Sequence, residues 1–190
     1  MTLVAAQIRV AGAGEVFVAP LGSTAPTDVS TALAPAFVGL GYDSDNGLTI
    51  SRSMTINSIG AWQTLVPVRR VPTDQAMSVA AEFMQSNPDV AALYMSTSAF
   101  TAISGHTGET KASADINPAV VNRAVVFELE DGPIKYRYYI PKAEVSANGD
   151  QTASHSAAIL YPLMFTAIAP DTGTILFDVF TNDPAMVPAG

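Results

Sequence analysis

Ala124 to Ala143 reads AVVFELEDGPIKYRYYIPKA, and the fold class follows from how that stretch is paired. Asp131-Gly132 is a turn signal between two alternating runs. Pairing Leu129 with Ile134, Phe127 with Tyr136 and Val125 with Tyr138 gathers the large apolar groups on one face. The same register sets Glu128 opposite Lys135 and Val126 opposite Arg137 on the other. A slip of one residue would mix the two sets. Pro133 has no N–H, so a four-residue loop over 130–133 is expected in place of a two-residue turn. The stretch is a β-hairpin, and the chain is a β-protein.

Working outward, 14–180 reads as one β-sandwich or barrel domain between an N-terminal arm (1–13) and a C-terminal tail (181–190). Further strands are expected at 15–19, 37–42, 48–52, 65–71, 75–84 and 174–180, with turn signals between them. Residues 21–35 read as a surface loop, and about 51–66 as a long polar excursion between strands carrying the sole tryptophan, Trp62. One short helix is predicted over about 88–96: Asn87 caps it, Pro88 takes the first position, and Asp89 suits the positive end of the dipole. Ala157 to Ala169 is apolar on both alternating faces, with Pro162 implying an edge strand or a bulge. The last ten residues read as a flexible tail.

The chain has 190 residues, 48% hydrophobic and only 14% charged, against a usual charged share of about 25%. That composition excludes disorder. The longest apolar window, 156–169, falls short of the roughly 20 residues a spanning helix needs, and residues 1–10 contain no signal-peptide core. A chain so poor in charge is expected to cover its surface with neighbouring copies. Its net charge of -8, from 17 acidic and 9 basic residues, opposes non-specific nucleic-acid binding. With no cysteine, disulfides and thiolate metal sites are excluded.

Candidate chemistry gives way to plainer readings. Asp171-Thr172-Gly173-Thr174 resembles the aspartic-protease triplet, but that chemistry needs two carboxylates sharing a proton, and here a hairpin turn accounts for the residues. Asp43, Asp45 and Gly47 echo a calcium loop, yet the glycine is misplaced and Met54 stands where the closing glutamate belongs. His106 and His155 lie in polar loops without a ligand partner at metal spacing. Ser154 and Ser156 flank His155, but the Gly-x-Ser-x-Gly elbow is missing. The phosphate loop Gly-x-x-x-x-Gly-Lys-Ser/Thr is also missing. Lys135 to Tyr139 alternates basic and aromatic groups, but the hairpin turns Tyr136 and Tyr138 inward. Arg69-Arg70 alone is too little for a phosphate track. No catalytic residue, cofactor or metal ligand is assigned.

Several stretches together resemble the major tail proteins, or tail tube proteins, of long-tailed, non-contractile bacteriophages, particularly those infecting actinobacteria. They are VFVAPLGSTAPTDVSTAL (Val16 to Leu33), FVGLGYDSDNGLTISRS (Phe37 to Ser53), IGAWQ (Ile59 to Gln63) and RAVVFELEDGPIKYRYYIPKAEV (Arg123 to Val145). Tyr161-Pro162-Leu163 and the turn at 171–173 fall where the family has similar residues. Gln63 departs from it, standing where the family has Gly after Trp. The resemblance implies a mainly β tail-tube sandwich or barrel with one flanking helix and extended arms. Six copies would close into a ring through strand edges, and rings would stack into a tube that conducts DNA into the host. The 51–66 excursion would reach a neighbouring ring, with Ile59 and Trp62 as contacts, and the terminal arms would lock adjacent subunits. The lumen would be acidic, with Glu82, Glu128 and Glu130 as candidate lining. Tape-measure, terminator and tip proteins would be the other partners, with no membrane involved. The protein would be made in the host cytoplasm and reside in the virion. Two other classes remain open at this point: a carbohydrate- or receptor-binding β-sandwich, and a homodimeric aspartic protease built on Asp171.

Overall fold

A computed structural model describes residues 4–187, leaving the first three residues of the arm and the last three of the tail outside the description. The ten strands are β1 (Ala13–Ala19), β2 (Val38–Gly39), β3 (Thr49–Ala61), β4 (Thr64–Phe83), β5 (Thr101–Ala102), β6 (Thr110–Lys111), β7 (Val121–Asp131), β8 (Ile134–Ala147), β9 (Tyr161–Ala167) and β10 (Asp178–Thr181). The single α-helix among the described residues, α1, is Pro88–Met95. Eight strands form one antiparallel sheet in the order β2-β1-β7-β8-β9-β4-β3, with β10 on β8; β5 and β6 make a separate small ribbon. The mainly β fold with one flanking helix is as the alternation and the helix cap predict.

The sheet wraps on itself. The Leu40 N–H donates to the Val16 carbonyl (2.9 Å), the Ser44 N–H to Glu82 (2.8 Å) and the Met84 N–H to Tyr42 (2.8 Å). Residues 38–44 thus stitch β1 to the end of β4. Gly41 makes the bend between the two pairings at φ 93°, and a Cβ there would lie 2.2 Å from the Gln85 side chain. Only glycine fits. Inside the wrap pack Val16, Leu40, Val79, Phe83, Phe127, Leu163 and Phe165, all fully buried. α1 adds Val90 and Leu93 to this core. Its cap is the predicted one: the Asn87 Oδ1 accepts from the Val90 N–H at 2.8 Å, while its Nδ2 donates to the Leu40 carbonyl. Ser96, in the left-handed region, ends the helix.

The hairpin forms, but two residues out of the expected register. Asp131 pairs with Ile134, Leu129 with Tyr136, Glu128 with Arg137 and Phe127 with Tyr138. A shift of two keeps every side chain on its face, so hydrophobic pattern cannot distinguish the alternatives. Turn chemistry and charge can. Gly132 at φ 60° followed by proline fits a two-residue type II′ turn. Pro133 sits at a position that is not asked to donate; the donors needed are those of Asp131 and Ile134, so the missing N–H costs nothing. The observed register also places two opposite-charge pairs across the strands: Glu130 with Lys135 (2.5 Å) and Glu128 with Arg137 (2.7 Å). It stacks Phe127 on Tyr138 at 4.7 Å.

Further along, Pro141-Lys142 opposes Ala124 alone, a bulge that lets both Ile140 and Ala143 face the core. Below the bulge β8 pairs with β9 through Ala143–Ala147; above it, Tyr136–Tyr139 pairs with β10. β9 is central, not an edge. Pro162 is accommodated where the β8 ladder ends, and its carbonyl accepts from the Asn148 N–H at 2.9 Å. The outward face of β1, β7 and β8 holds a second apolar cluster, Ala19, Phe37, Ala124, Val126 and Tyr139, covered by the 20–37 loop. Arg137, 5% exposed, fastens that loop by donating to the carbonyls of Asp28 (2.7 Å) and Thr31 (2.8 Å).

Three other expectations change. The 51–66 segment is not a loop: it belongs to β3 and β4, which pair from Thr49↔Ala80 to Ala61↔Thr64 around a two-residue turn, Trp62-Gln63. The runs 65–71 and 75–84 are one strand of 20 residues, because register shifts near Pro72 and Pro67 absorb both prolines without ending the ladder. The described terminal segments fold back onto their own hairpin. The Gly12 N–H donates to the Glu130 carbonyl (2.8 Å), the Asn182 Oδ1 accepts from the Lys135 N–H (2.7 Å), and Asp183 is 2% exposed.

Candidate functional site

Two features dominate the surface: an arm and a cleft. The arm is the distal part of the β3–β4 hairpin. β9 covers β4 only from Ser78 to Phe83, so beyond that point the two long strands have only each other. A strand of 13 residues at about 3.3 Å per residue spans about 43 Å. Ile50↔Val79, Arg52↔Met77 and Met54↔Gln75 continue the barrel's core-facing side into solvent. Met54, Ile56, Ile59, Val66 and Val68 are exposed, and Trp62 and Leu65 fully so. The arm carries Arg52, Arg69 and Arg70, and no acidic residue from Ser53 to Thr73. Arg52 lies over the Phe177 ring at 5.8 Å at the arm's base. An arm of this length leaves a large apolar surface uncovered in the single chain.

The cleft, about 980 Å³, opens at the barrel mouth between the start of β1 and the 41–48 turn. Leu48 and Leu129 supply apolar wall, while Glu15, Asp43 and Asp45 supply charge without any cation. Asp43 pairs with Phe83 and so turns toward the barrel interior. Its Oδ1 is buried with no hydrogen-bonding partner. Burial, reinforced by Glu15, pushes the Asp43 carboxyl up to about 6. Glu15 stands opposite Glu128 across β1 and β7, and burial followed by repulsion from Glu128 and Glu130 raises its pKa.

The sequence-selected residues separate into three places. Ile59 and Trp62 fall together at the arm tip. Glu128 and Glu130 share the outward face of β7, but both are ion-paired, and Glu128 is tucked beside the buried Arg137. Glu82 faces outward on β4, where its Oε2 accepts from the Ser44 hydroxyl (2.9 Å) and the Asn46 amide (2.8 Å); no contact joins it to the β7 pair. Sequence reasoning passed over Glu15, which gains meaning only through its cross-strand neighbour, and read Asp43 as a plain turn residue. Arg69-Arg70, too little for a phosphate track, lies in a stretch without acidic residues from Ser53 to Thr73, a signal present in the sequence.

For the other chemistry, Asp171 is largely exposed and ion-paired with Lys142. The His106 imidazole lies 3.5 Å from the Glu109 carboxylate on the surface. Among the described residues, no group of three or more His, Asp or Glu is placed to hold a metal, and no helix is long and apolar enough to cross a membrane.

No curated protein matches the sequence. A family model described as phage tail tube protein matches residues 1–190. With that match and a mainly β barrel bearing an uncovered arm, the chain belongs to the phage tail tube protein family, structural components of bacteriophage tails that assemble with copies of themselves and with other tail proteins.

Proposed function

We propose that this chain closes into hexameric rings that stack into the tail tube of a long-tailed, non-contractile phage infecting an actinobacterium, and that the tube conducts DNA during infection. The observation that carries this reading is the β3–β4 arm. It exposes apolar side chains on a long, unpaired strand edge that a lone subunit has no means to cover, and a closed ring both buries such surface and removes free edges. Ile59 and Trp62 at its tip are the inter-ring contacts on this reading. The role is structural, without a catalytic step.

On this reading the lumen is lined by Glu82 on the outward face of β4 and by Glu128 and Glu130, at the end of β7 that the 20–37 loop leaves partly open. Lys135 and Arg137 offset two of these charges, leaving a mildly acidic wall that has no adhesive electrostatic attraction for phosphates. Tape-measure, terminator and tip proteins meet the two ends of the tube, and assembly takes place in the host cytoplasm before the virion is released.

Negative-stain microscopy of concentrated protein tests the assembly. Rings of six-fold symmetry or tubes of uniform diameter are expected; small particles at every concentration would refute it. A ring structure with all three glutamates turned away from the channel would refute the lining assignment alone.

A further inference from the structure

The arm cannot be satisfied by its own body. Leu48, in the wall of the cleft, immediately precedes β3, and the paired strand then carries Trp62 about 43 Å away from it. An arm tip and a cleft held apart by a rigid ladder within one copy can meet only between copies.

Their chemistry is complementary. The tip presents Trp62, Leu65 and the Arg69-Arg70 pair, with no acid nearby. The cleft presents Leu48, Leu129 and three carboxylates, with no cation in its lining. A volume of about 980 Å³ is ample for an indole and its flanking backbone. Gly12, Gly14 and Gly47 in the lining keep side chains out of the way. The buried Asp43 Oδ1 lacks a donor in the isolated chain, and a buried acceptor left unsatisfied is costly until a donor arrives.

Resting on the assembly reading above, we propose that the arm tip of one copy seats in the barrel-mouth cleft of a neighbouring copy, Trp62 against Leu48 and Leu129, and Arg69 and Arg70, on opposite faces of the ribbon, between the cleft carboxylates Glu15, Asp43 and Asp45. Each copy carries one tip and one cleft on different surfaces, so the contact is heterologous and propagates from copy to copy, closing a ring or extending a filament.

The absence of cysteine permits a direct test. Tyr42 is exposed at the cleft and Gln63 adjoins Trp62 at the tip. A Tyr42→Cys/Gln63→Cys chain, assembled under reducing conditions and then oxidised, is expected to give a ladder beyond dimer on a non-reducing gel. Either single variant faces no second thiol in this contact and should run as monomer, with at most a dimer from chance collisions. Particles without a ladder would overturn the cleft assignment and leave self-assembly standing, whereas wild-type protein that never forms particles would overturn both.

Should the double variant not assemble when reduced, charge reversal decides. Arg69→Glu/Arg70→Glu should raise the concentration needed for assembly by at least about tenfold, with circular dichroism unchanged. Adding Glu15→Lys/Asp45→Lys should recover most of that loss. Unchanged assembly in the first variant, or no recovery in the second, would overturn the proposal.

Discussion

Arg9 and Asp183, 174 positions apart in the chain, are joined by two charge-assisted hydrogen bonds of 2.7 and 2.6 Å. The Tyr136 hydroxyl donates to the same carboxylate, and Asp183 also accepts from the Ala185 N–H at 2.9 Å. Both ends of the described chain are thereby clasped to the tip of the central hairpin. The donors from Arg9 and Tyr136 hold Asp183 well below the usual carboxylate range. A depressed folded-state pKa contributes stability that is present above the unfolded value of 3.8 and lost as pH falls below it. Asp183→Asn should lower the melting temperature at pH 7, with the gap to wild type closing on acidification. In hydrogen exchange the variant should lose protection at 9–12 and 181–187 while β4 and β9 keep theirs.

Asp43 has the opposite sign. Its pKa is raised from 3.8 to about 6 by burial and by Glu15, so its contribution is fully favourable below pH 3.8 and is lost as pH rises through about 6. At pH 7 the ionised group is a burden on the isolated subunit. Asp43→Asn should stabilise the monomer by about 1 kcal/mol at pH 7, a figure discounted because the group is only half-buried. The gain should vanish near pH 4, as followed by thermal melts across that range.

Removing Arg137 leaves Glu128 without its partner and frees the two carbonyls that tie down the 20–37 loop. Breaking a buried pair from one side is expensive, so Arg137→Ala should cost about 3 kcal/mol in a denaturant melt. Lysine should recover only part of this, since an ammonium cannot fork between a carboxylate and two carbonyls. Proteolysis should cut within 20–37 first.

Trp62 touches nothing that holds the subunit together, being fully exposed at the arm's turn. Trp62→Ala should therefore leave subunit stability within about 0.5 kcal/mol of wild type. Assembly, measured by sedimentation against concentration, should be abolished or shifted to much higher concentration. Stable, fully assembling Trp62→Ala protein would remove the arm tip from the contact.

Much of the fold was legible in local pattern. Alternation in Ala124–Ala143 and Gln75–Met84 identified strands and their inner faces, and Asn87-Pro88-Asp89 located the helix start. The arm was harder. Residues 51–66 mix polar and apolar groups and are exposed on both faces, so no sustained alternation betrays a strand; it is the partner strand, reaching from Thr64 to Gln75, that holds them extended. Pro72 falls in the gap between the strands expected at 65–71 and 75–84, and it is instead absorbed at a register shift. Of the site, the sequence offered Trp62 and the acidic residues of β7 but not Glu15 or Asp43, whose environments come from strands and turns far away in the chain.

By itself the sequence determined which residues of the hairpin face inward and where the chain must turn. It could not choose between hairpin registers two residues apart, because a period-two pattern maps onto itself under that shift. Tertiary structure chose, through a two-residue Gly-Pro turn and opposite charges meeting across β7 and β8. It alone brought Arg9 to Asp183 and turned Asp43 inward beside the barrel-mouth cleft, since such encounters depend on how the sheet closes and not on any neighbouring residue.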